Sequence, residues 1–307
     1  MSRTKEFQEL RPLLFSIAYR ILGSVSEAED AVQETWLRFE AAPTELRSVK
    51  AFLSATVTRI SIDVLRSARV RRETYAGPWL PEPLLADPYQ DPERSAELAD
   101  SLSMAALVLL ERLSPLERAV FVLREVFGFG FPEVSSAVGR SEAACRQLAV
   151  RARRHMAAGR PRFRAGRKER EELASRFFDA LREGDVAGLQ NLLAADVSMV
   201  GDGGGKAPQL AKAVFGAQNV ARLLASVFPQ MALIGVTGEP VEVNGQPGAI
   251  FRDRDGKVLH TLALDILDGQ IQTIRTVINP DKLGHVGPVA DAWAINREVR
   301  QALRPPQ

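Results

Sequence analysis

The sequence predicts a multidomain chain in which two all-α segments precede an α+β segment. Three observations carry this. Up to about residue 157 apolar side chains recur at helical spacing. Residues 76–92 hold five prolines in seventeen positions, which splits that helical stretch in two. Beyond residue 193, short β-branched runs separated by turn residues take over. A length of 307 residues accommodates two or three domains. The domains are placed at 1–75, 95–160 and 168–285. A Pro-rich linker lies at 76–94, and a helix and tail at 286–307.

In the first domain, Leu10, Leu13, Leu14, Ile17, Ala18 and Ile21 share a helical face, and Gly23 ends that helix. Ser26 is read as the N-cap of the next helix, with Glu27, Glu29 and Asp30 in its first turn. Pro43 interrupts, and a long helix is expected from Val49 to Arg72. The linker cannot be helical and tends to extended structure. Its Trp79, Leu80, Leu84 and Leu85 are too apolar for a solvated spacer, so it is expected to dock on something.

In the second domain, Pro115 opens a helix that Gly128 and Gly130 break. A short helix from Pro132 to Val138 ends at Gly139, and Ser141 caps a helix from Glu142 to Met156. Two helices joined by a tight glycine-containing turn make a helix-turn-helix pattern. Val134, Val138, Cys145 and Leu148 form its core, with Cys145 a small buried apolar residue. Arg146, Gln147, Arg151 and Arg154 then project outward. Arg suits guanine edges, Gln suits adenine edges, and neighbouring Arg side chains hold phosphates.

Charge supports an anionic partner. Lys and Arg total 40 against 38 Asp and Glu, yet residues 146–170 carry 10 basic side chains and 1 acidic one. Read without a partner, that block is a solvated face or a basic linker. Arg outnumbers Lys 33 to 7, a bias that reflects genome composition rather than function. One cysteine excludes an internal disulfide framework and most cysteine-based zinc sites. No apolar run of eighteen residues exists, the first residues resemble no secretory signal, and a cytoplasmic protein is expected.

The third domain is expected to open with a pair of helices over 169–193 and to hold another from Ala217 to Phe228. Strands are expected at Val197–Val200, Met231–Thr237, Ala249–Arg252, Val258–Leu267 and Gln270–Ile278. Asp268-Gly269 signals a hairpin and Gly256 a charged turn. A closing amphipathic helix is expected from Val289 to Leu303. His260 and Asp265 lie five apart on one strand, hence on opposite faces, a poor catalytic pair. His155, His260 and His285 are scattered, so no metal site is expected. Asp202–Lys206 lacks the spacing of a phosphate-binding loop and reads as a tight turn presenting Lys206.

The two N-terminal domains resemble regions 2 and 4 of bacterial RNA polymerase sigma factors of the extracytoplasmic-function group. The matching segments are Ala28-Glu-Asp-Ala-Val-Gln-Glu-Thr-Trp-Leu-Arg38, Ser48-Val-Lys-Ala-Phe-Leu53 with Thr58-Arg-Ile-Ser-Ile-Asp-Val-Leu-Arg66, and Leu113-Ser-Pro-Leu-Glu-Arg-Ala-Val-Phe121 with Gly139-Arg-Ser-Glu-Ala-Ala-Cys-Arg-Gln-Leu148. The third domain resembles a SnoaL-like domain, an α+β cone shared with nuclear transport factor 2. Asp202-Gly-Gly-Gly-Lys206, Asn279-Pro-Asp-Lys-Leu283 and Trp79-Leu-Pro-Glu-Pro-Leu84 resemble the sigma subgroup that carries this extension.

The resemblance implies roles. Asp30, Gln33, Glu34 and Arg38 fall on one helix face and would bind the clamp of the polymerase largest subunit. Ser48, Lys50, Arg59, Asp63, Arg66 and Arg69, with Arg71 and Arg72 beyond, would read the −10 element by capturing an unstacked base and holding its strand. The stretch from Phe39 to Val49 carries Glu40, Glu45 and little aromatic character, so which base it captures is open. Arg140, Ser141, Arg146, Gln147, Arg151 and Arg154 would read the −35 element. Trp79, Leu80 and Pro81, with Asp202, Lys206, Asn279, Pro280, Asp281 and Lys282, would form an interdomain regulatory contact. That contact would let the third domain act in place of a separate anti-sigma protein. The implied partners are core polymerase, promoter DNA and a small ligand in the cone, with no cofactor and no catalysis. Two other readings fit the residues. One is a helix-turn-helix regulator whose first domain is a dimer or ligand module. The other is a fusion whose SnoaL-like domain retains an enzymatic or ligand-binding activity.

Overall fold

The computed structural model describes residues 2–43, 46–91, 93, 95–158, 166–208 and 212–303. The chain divides into two compact units. One comprises 1–74 and 87–160, and the other 75–86 and 161–307. The peptide 75–86 thus belongs with the C-terminal unit. Thr44 and Glu45, and residues 159–165 of the basic block, lie outside the described residues.

The first unit is all α. Helix α1 (Arg3–Leu22) ends at Gly23, whose φ of 68° is left-handed. Helix α2 (Val25–Glu40) follows at once, and its cap is Ser24 rather than Ser26. The left-handed Gly23 already turns the chain, so Ser24 takes the extended cap conformation and accepts from Glu27 N at 3.1 Å. Helix α3 (Val49–Glu73) packs on both. Leu14, Ile17, Ile21, Leu53 and Val57 are fully buried among these three helices.

Helices α4 (Ser95–Leu102), α5 (Met104–Leu110) and α6 (Pro115–Phe121) come next, and a π-helical turn at Val122–Val126 extends α6. Ser114 and Glu117 cap α6 reciprocally, with Pro115 at its first position. Helix α7 (Phe131–Val138) stops at left-handed Gly139, and α8 (Glu142–Ala158) follows. Val134, Val138, Cys145 and Leu148 are buried as expected.

Two buried arginines tie the early helices to the later ones. Arg20 on α1 donates to Ser101 Oγ at 2.8 Å and Leu98 O at 2.9 Å, and pairs with Asp87 at 2.9 Å. Arg118 on α6 donates to Arg20 O at 3.0 Å and pairs with Glu111. Every arginine nitrogen is a donor, so main-chain carbonyls at helix ends suit such buried guanidinium groups.

The second unit is α+β. Helices α9 (Arg167–Glu183) and α10 (Val186–Leu192) precede a six-stranded sheet. Its strands are β1 (Leu193–Asp202), β2 (Val214–Phe215), β3 (Thr237–Val243), β4 (Gln246–Arg252), β5 (Val258–Leu267) and β6 (Gln270–Val277), in the order β2-β1-β6-β5-β4-β3. All neighbours are antiparallel except β1 and β6. Between β2 and β3 lies α11 (Ala217–Leu233).

Three expectations change here. Of the strand expected at Met231–Thr237, the first three residues are the end of α11, the next three turn the chain, and β3 begins only at Thr237. The helix passes through Pro229 because Val220, Leu224 and Phe228 keep its apolar stripe buried. Pro240 is accommodated in β3 because β3 is an edge strand. The last helix, α12, starts at Ala292 rather than Val289, because Val289 is bridged to Val258 and Asp291 provides the cap. Ile295 and Val299 of α12 pack against the core of this unit.

Candidate functional site

The helix-turn-helix presents α8 as expected. Ser141 caps it, its Oγ accepting from Ala144 N at 3.2 Å. Arg140, Arg146, Gln147, Arg151 and Arg154 are all exposed, with the half-exposed Val150 among them. Not all are equally available. Arg146 pairs with Glu142 at 2.9 Å and lies over the Phe131 ring at 4.9 Å. Arg151 pairs with Glu117 at 3.1 Å. Burial raises the Glu117 carboxyl, but the Ser114 hydrogen bonds and the Arg151 and His155 charges outweigh it and hold the group below its usual range. Arg151 therefore braces α8 against α6 as well as facing outward.

The residues assigned to the −10 element line α3. Ser48 caps it, accepting from Ala51 N at 3.2 Å. Lys50 lies over the Phe129 ring at 5.8 Å. Arg59 donates to Ala137 O at 3.1 Å and also to Ser136 O. Asp63 and Arg66 form an exposed pair at 3.1 Å. The side chains of Arg69, Arg71 and Arg72 lie outside the described residues. Lys50 and Arg59 thus face the helix-turn-helix of the same unit.

On α2, Asp30, Gln33 and Arg38 are exposed and Glu34 is half-buried, paired to Arg38 at 2.8 Å. Leu37 lies among them at 52% exposure, an apolar side chain the sequence reading passed over. Its i+3/i+4 spacing to Gln33 and Glu34 was the available signal.

The linker residues converge on Asp202, which is fully buried at the end of β1. One carboxylate oxygen accepts from Tyr75 OH at 2.5 Å. The other accepts from Leu80 N at 2.8 Å and Lys282 Nζ at 2.7 Å. Lys282 also donates to Leu80 O, and lies 4.2 Å from the Trp79 ring centroid and 4.9 Å from that of Tyr75. Asn279 donates to Tyr75 OH at 2.7 Å and accepts from Asp281 N at 3.1 Å. Pro280 opens the 3-10 turn that sets Lys282 in place. Burial and the bond to Asp202 push the Tyr75 hydroxyl pKa well up.

Gly204 explains the glycine run. It has a φ of 57°, and a Cβ there would lie 2.3 Å from Asn279 Nδ2. Lys206, expected to face another domain, pairs with Asp281 of its own unit at 2.5 Å.

Pro81 belongs to the same buried stretch. Three contacts here were missed from sequence: Tyr75, Asn244 and His285. Asn244 accepts from Leu84 N at 3.0 Å and donates its own N–H to Leu84 O at 2.7 Å. His285 bonds Pro83 O at 2.6 Å.

His260 and Asp265 are on opposite faces of β5. His260 pairs in register with Phe251, while Asp265 forms an ion pair with Arg275 on the other side. Burial lowers Arg275 to about 10. Among the described residues no cluster of three His, Cys, Asp or Glu side chains fit for a metal is present. Among them, too, no helix is long and apolar enough to cross a membrane.

Residues 7–71 match the family model of sigma-70 region 2, and residues 103–156 that of sigma-70 region 4. The ECF RNA polymerase sigma factor SigJ of Mycobacterium tuberculosis is 38% identical over 288 residues, covering 90% of this chain and 92% of SigJ. Probable SigI of the same species is 30% identical over 281 residues, covering 89% of this chain and 92% of SigI. The crystal structure of M. tuberculosis SigJ superposes with a TM-score of 0.73 at 33% identity, covering 94% of this chain and all of that one. Two helical promoter-recognition regions joined to an α+β extension define a sigma factor with a C-terminal domain. The chain belongs to the extracytoplasmic-function RNA polymerase sigma factors.

Proposed function

We propose that this sigma factor carries its own regulator, and that the C-terminal unit acts by holding the peptide that joins regions 2 and 4. One observation carries the reading: residues 75–86, between the two matched regions, are hydrogen-bonded to the C-terminal unit through Asp202, Asn244 and Lys282. A sigma factor must set two readers at a promoter-defined spacing, so control of the tether is control of spacing. Core polymerase, or a small ligand, shifts the balance by binding the released or the held state better.

Within this reading, Asp30, Gln33, Glu34 and Arg38 meet the polymerase clamp. The face of α3 around Ser48, Lys50 and Arg59 meets the −10 strand, and α8 enters the −35 duplex. The role is non-catalytic and cytoplasmic, where polymerase works. The family resemblance and the exposed faces of α2 and α8 support these assignments.

The test is promoter-dependent transcription with purified core polymerase. The full chain is compared with its Asp202→Ala variant and with a chain ending near Lys168. Output that changes in the same direction in both altered chains supports regulation through the tether. Equal output from all three removes it.

A further inference from the structure

Phe131 opens α7, and two arginines meet at its half-buried ring. The Arg146 guanidinium lies over it, 4.9 Å from the ring centroid, and the Arg124 guanidinium lies over it at 4.9 Å as well. Arg124 is itself fixed. It belongs to the π-helical turn at Val122–Val126, and its Nη1 donates to Phe129 O at 3.0 Å. Such turns recur at functional sites. A guanidinium stacks readily on an aromatic face because it is planar and weakly hydrated.

Arg146 is thus held on two sides although its side chain is 56% exposed. Phe131 supports its flat face, and Glu142, one turn earlier on α8, accepts from Nη2 at 2.9 Å. Glu142 takes one N–H donor, and those left over suffice for guanine N7 and O6. An unsupported arginine must lose rotamer freedom when it meets a duplex, and a side chain ordered beforehand escapes that cost. Packing alone would be served by leucine at position 131, which offers no face to a guanidinium.

We propose that Phe131 is a positioning residue for promoter reading. Its ring holds the Arg146 guanidinium ready for one guanine of the −35 element, and Arg124 fixes the ring in turn. The inference rests on the reading that α8 enters the −35 duplex. It goes beyond that reading by naming a residue that acts through Arg146 rather than on DNA.

The test compares holoenzyme binding to its −35 duplex with duplexes carrying 7-deazaguanine at each guanine in turn. That base lacks the N7 acceptor and keeps Watson–Crick pairing. In the wild type one position loses about tenfold in affinity, the worth of a hydrogen bond to a charged group, and Arg146→Ala erases the loss. Phe131→Leu shrinks the loss by about two- to fivefold, the worth of an exposed cation–π contact, and Phe131→Tyr restores it. A merely structural role would weaken binding to every duplex alike and leave that loss unchanged. A loss that Arg146→Ala erases but Phe131→Leu leaves at full size overturns the proposal while the reading of α8 stands. So does a tyrosine that fails to restore it. No sensitive guanine, or one indifferent to Arg146→Ala, removes guanine reading by Arg146 and the proposal with it.

A second measurement needs no variant. In the wild-type chain free of DNA, the ring current of Phe131 moves the Arg146 side-chain proton resonances upfield. Resonances at the ordinary arginine position would overturn the proposal.

Discussion

Arg59 on α3 donates through Nε to the main-chain oxygen of Ala137 in the last turn of α7, at 3.1 Å, and a second nitrogen reaches Ser136 O. A cation at a helix C-terminus meets both the unsatisfied carbonyls and the negative end of the helix dipole. The side chain assigned to the −10 strand is therefore already bonded to the helix-turn-helix in the free chain. Arg59→Ala should speed amide exchange at Ser136–Gly139 while costing about 1 kcal/mol or less of global stability, since the contact is partly solvated. Unchanged exchange there would show that the contact does not fasten α7.

Arg118 makes a different kind of contact. Its side chain is 1% exposed, bonded to Arg20 O and paired with Glu111, which is itself mostly buried. Removing one member of a buried pair leaves the other charge uncompensated, at about 3–5 kcal/mol. Arg118→Met should lower the urea midpoint accordingly, and Arg118→Lys should recover little because one ammonium cannot span both partners. A midpoint within error of wild type would mean that the cluster relaxes around the loss.

These contacts also mark what sequence reading reaches. Local rules served well where the signal is local. Gly23, Pro115, Gly139 with Ser141, and Asp268-Gly269 each set a boundary through one or two residues. They failed where the deciding partner is distant. Val289 reads as helix but pairs with Val258, and Met231 reads as strand because the burial of Phe228 one turn earlier is invisible in a short window. Asn244-Gly245 is a different failure. Both residues have positive φ, at 54° and 66°, so the β3–β4 hairpin signal was present in the letters and overlooked. The converging residues Trp79, Asp202, Asn279 and Lys282 were legible through family resemblance. Tyr75 was not, because an ordinary tyrosine before a Pro-rich stretch says nothing of a carboxylate 127 positions away.

Asp202 allows a direct test of the linker anchor. Its carboxylate accepts from Tyr75, Leu80 and Lys282, and Lys282 is 6% exposed. Asp202→Asn keeps the shape but strands the ammonium, at a cost of about 3 kcal/mol. Amide exchange at Leu80 should rise by orders of magnitude, with smaller changes at Leu84, whose N–H is held separately by Asn244. Exchange at Leu80 that stays slow would show that main-chain packing, rather than Asp202, holds the linker.

The proposed regulation through the tether predicts a salt signature that separates it from ordinary DNA affinity. Each phosphate contact contributes about −0.9 to the slope of log K against log salt. Arg154→Ala on α8 should flatten that slope by about 1 on promoter duplex bound by holoenzyme. Asp202→Asn should shift the whole line without changing its slope. A slope change in the Asp202 variant would mean that the linker anchor alters which phosphates are touched.

His260 makes the C-terminal unit sensitive to acid. Burial lowers its folded pKa to about 3, against about 6.5 in the unfolded chain. The unfolded state therefore binds the extra proton first as pH falls. Above about pH 6.5 neither state is protonated and stability is flat. Between about 6.5 and 3 stability falls by as much as about 1.4 kcal/mol per pH unit, one proton's worth. The rings of Phe228 and Phe251 beside the imidazole supply no compensating anion. His260→Phe removes this one-proton component, so urea titrations at about pH 5 and about pH 7.5 should differ less for the variant than for the wild type. Carboxylates elsewhere in the chain titrate in both proteins and cancel in the comparison. An equal pH dependence would mean that the folded His260 binds its proton as readily as the unfolded one.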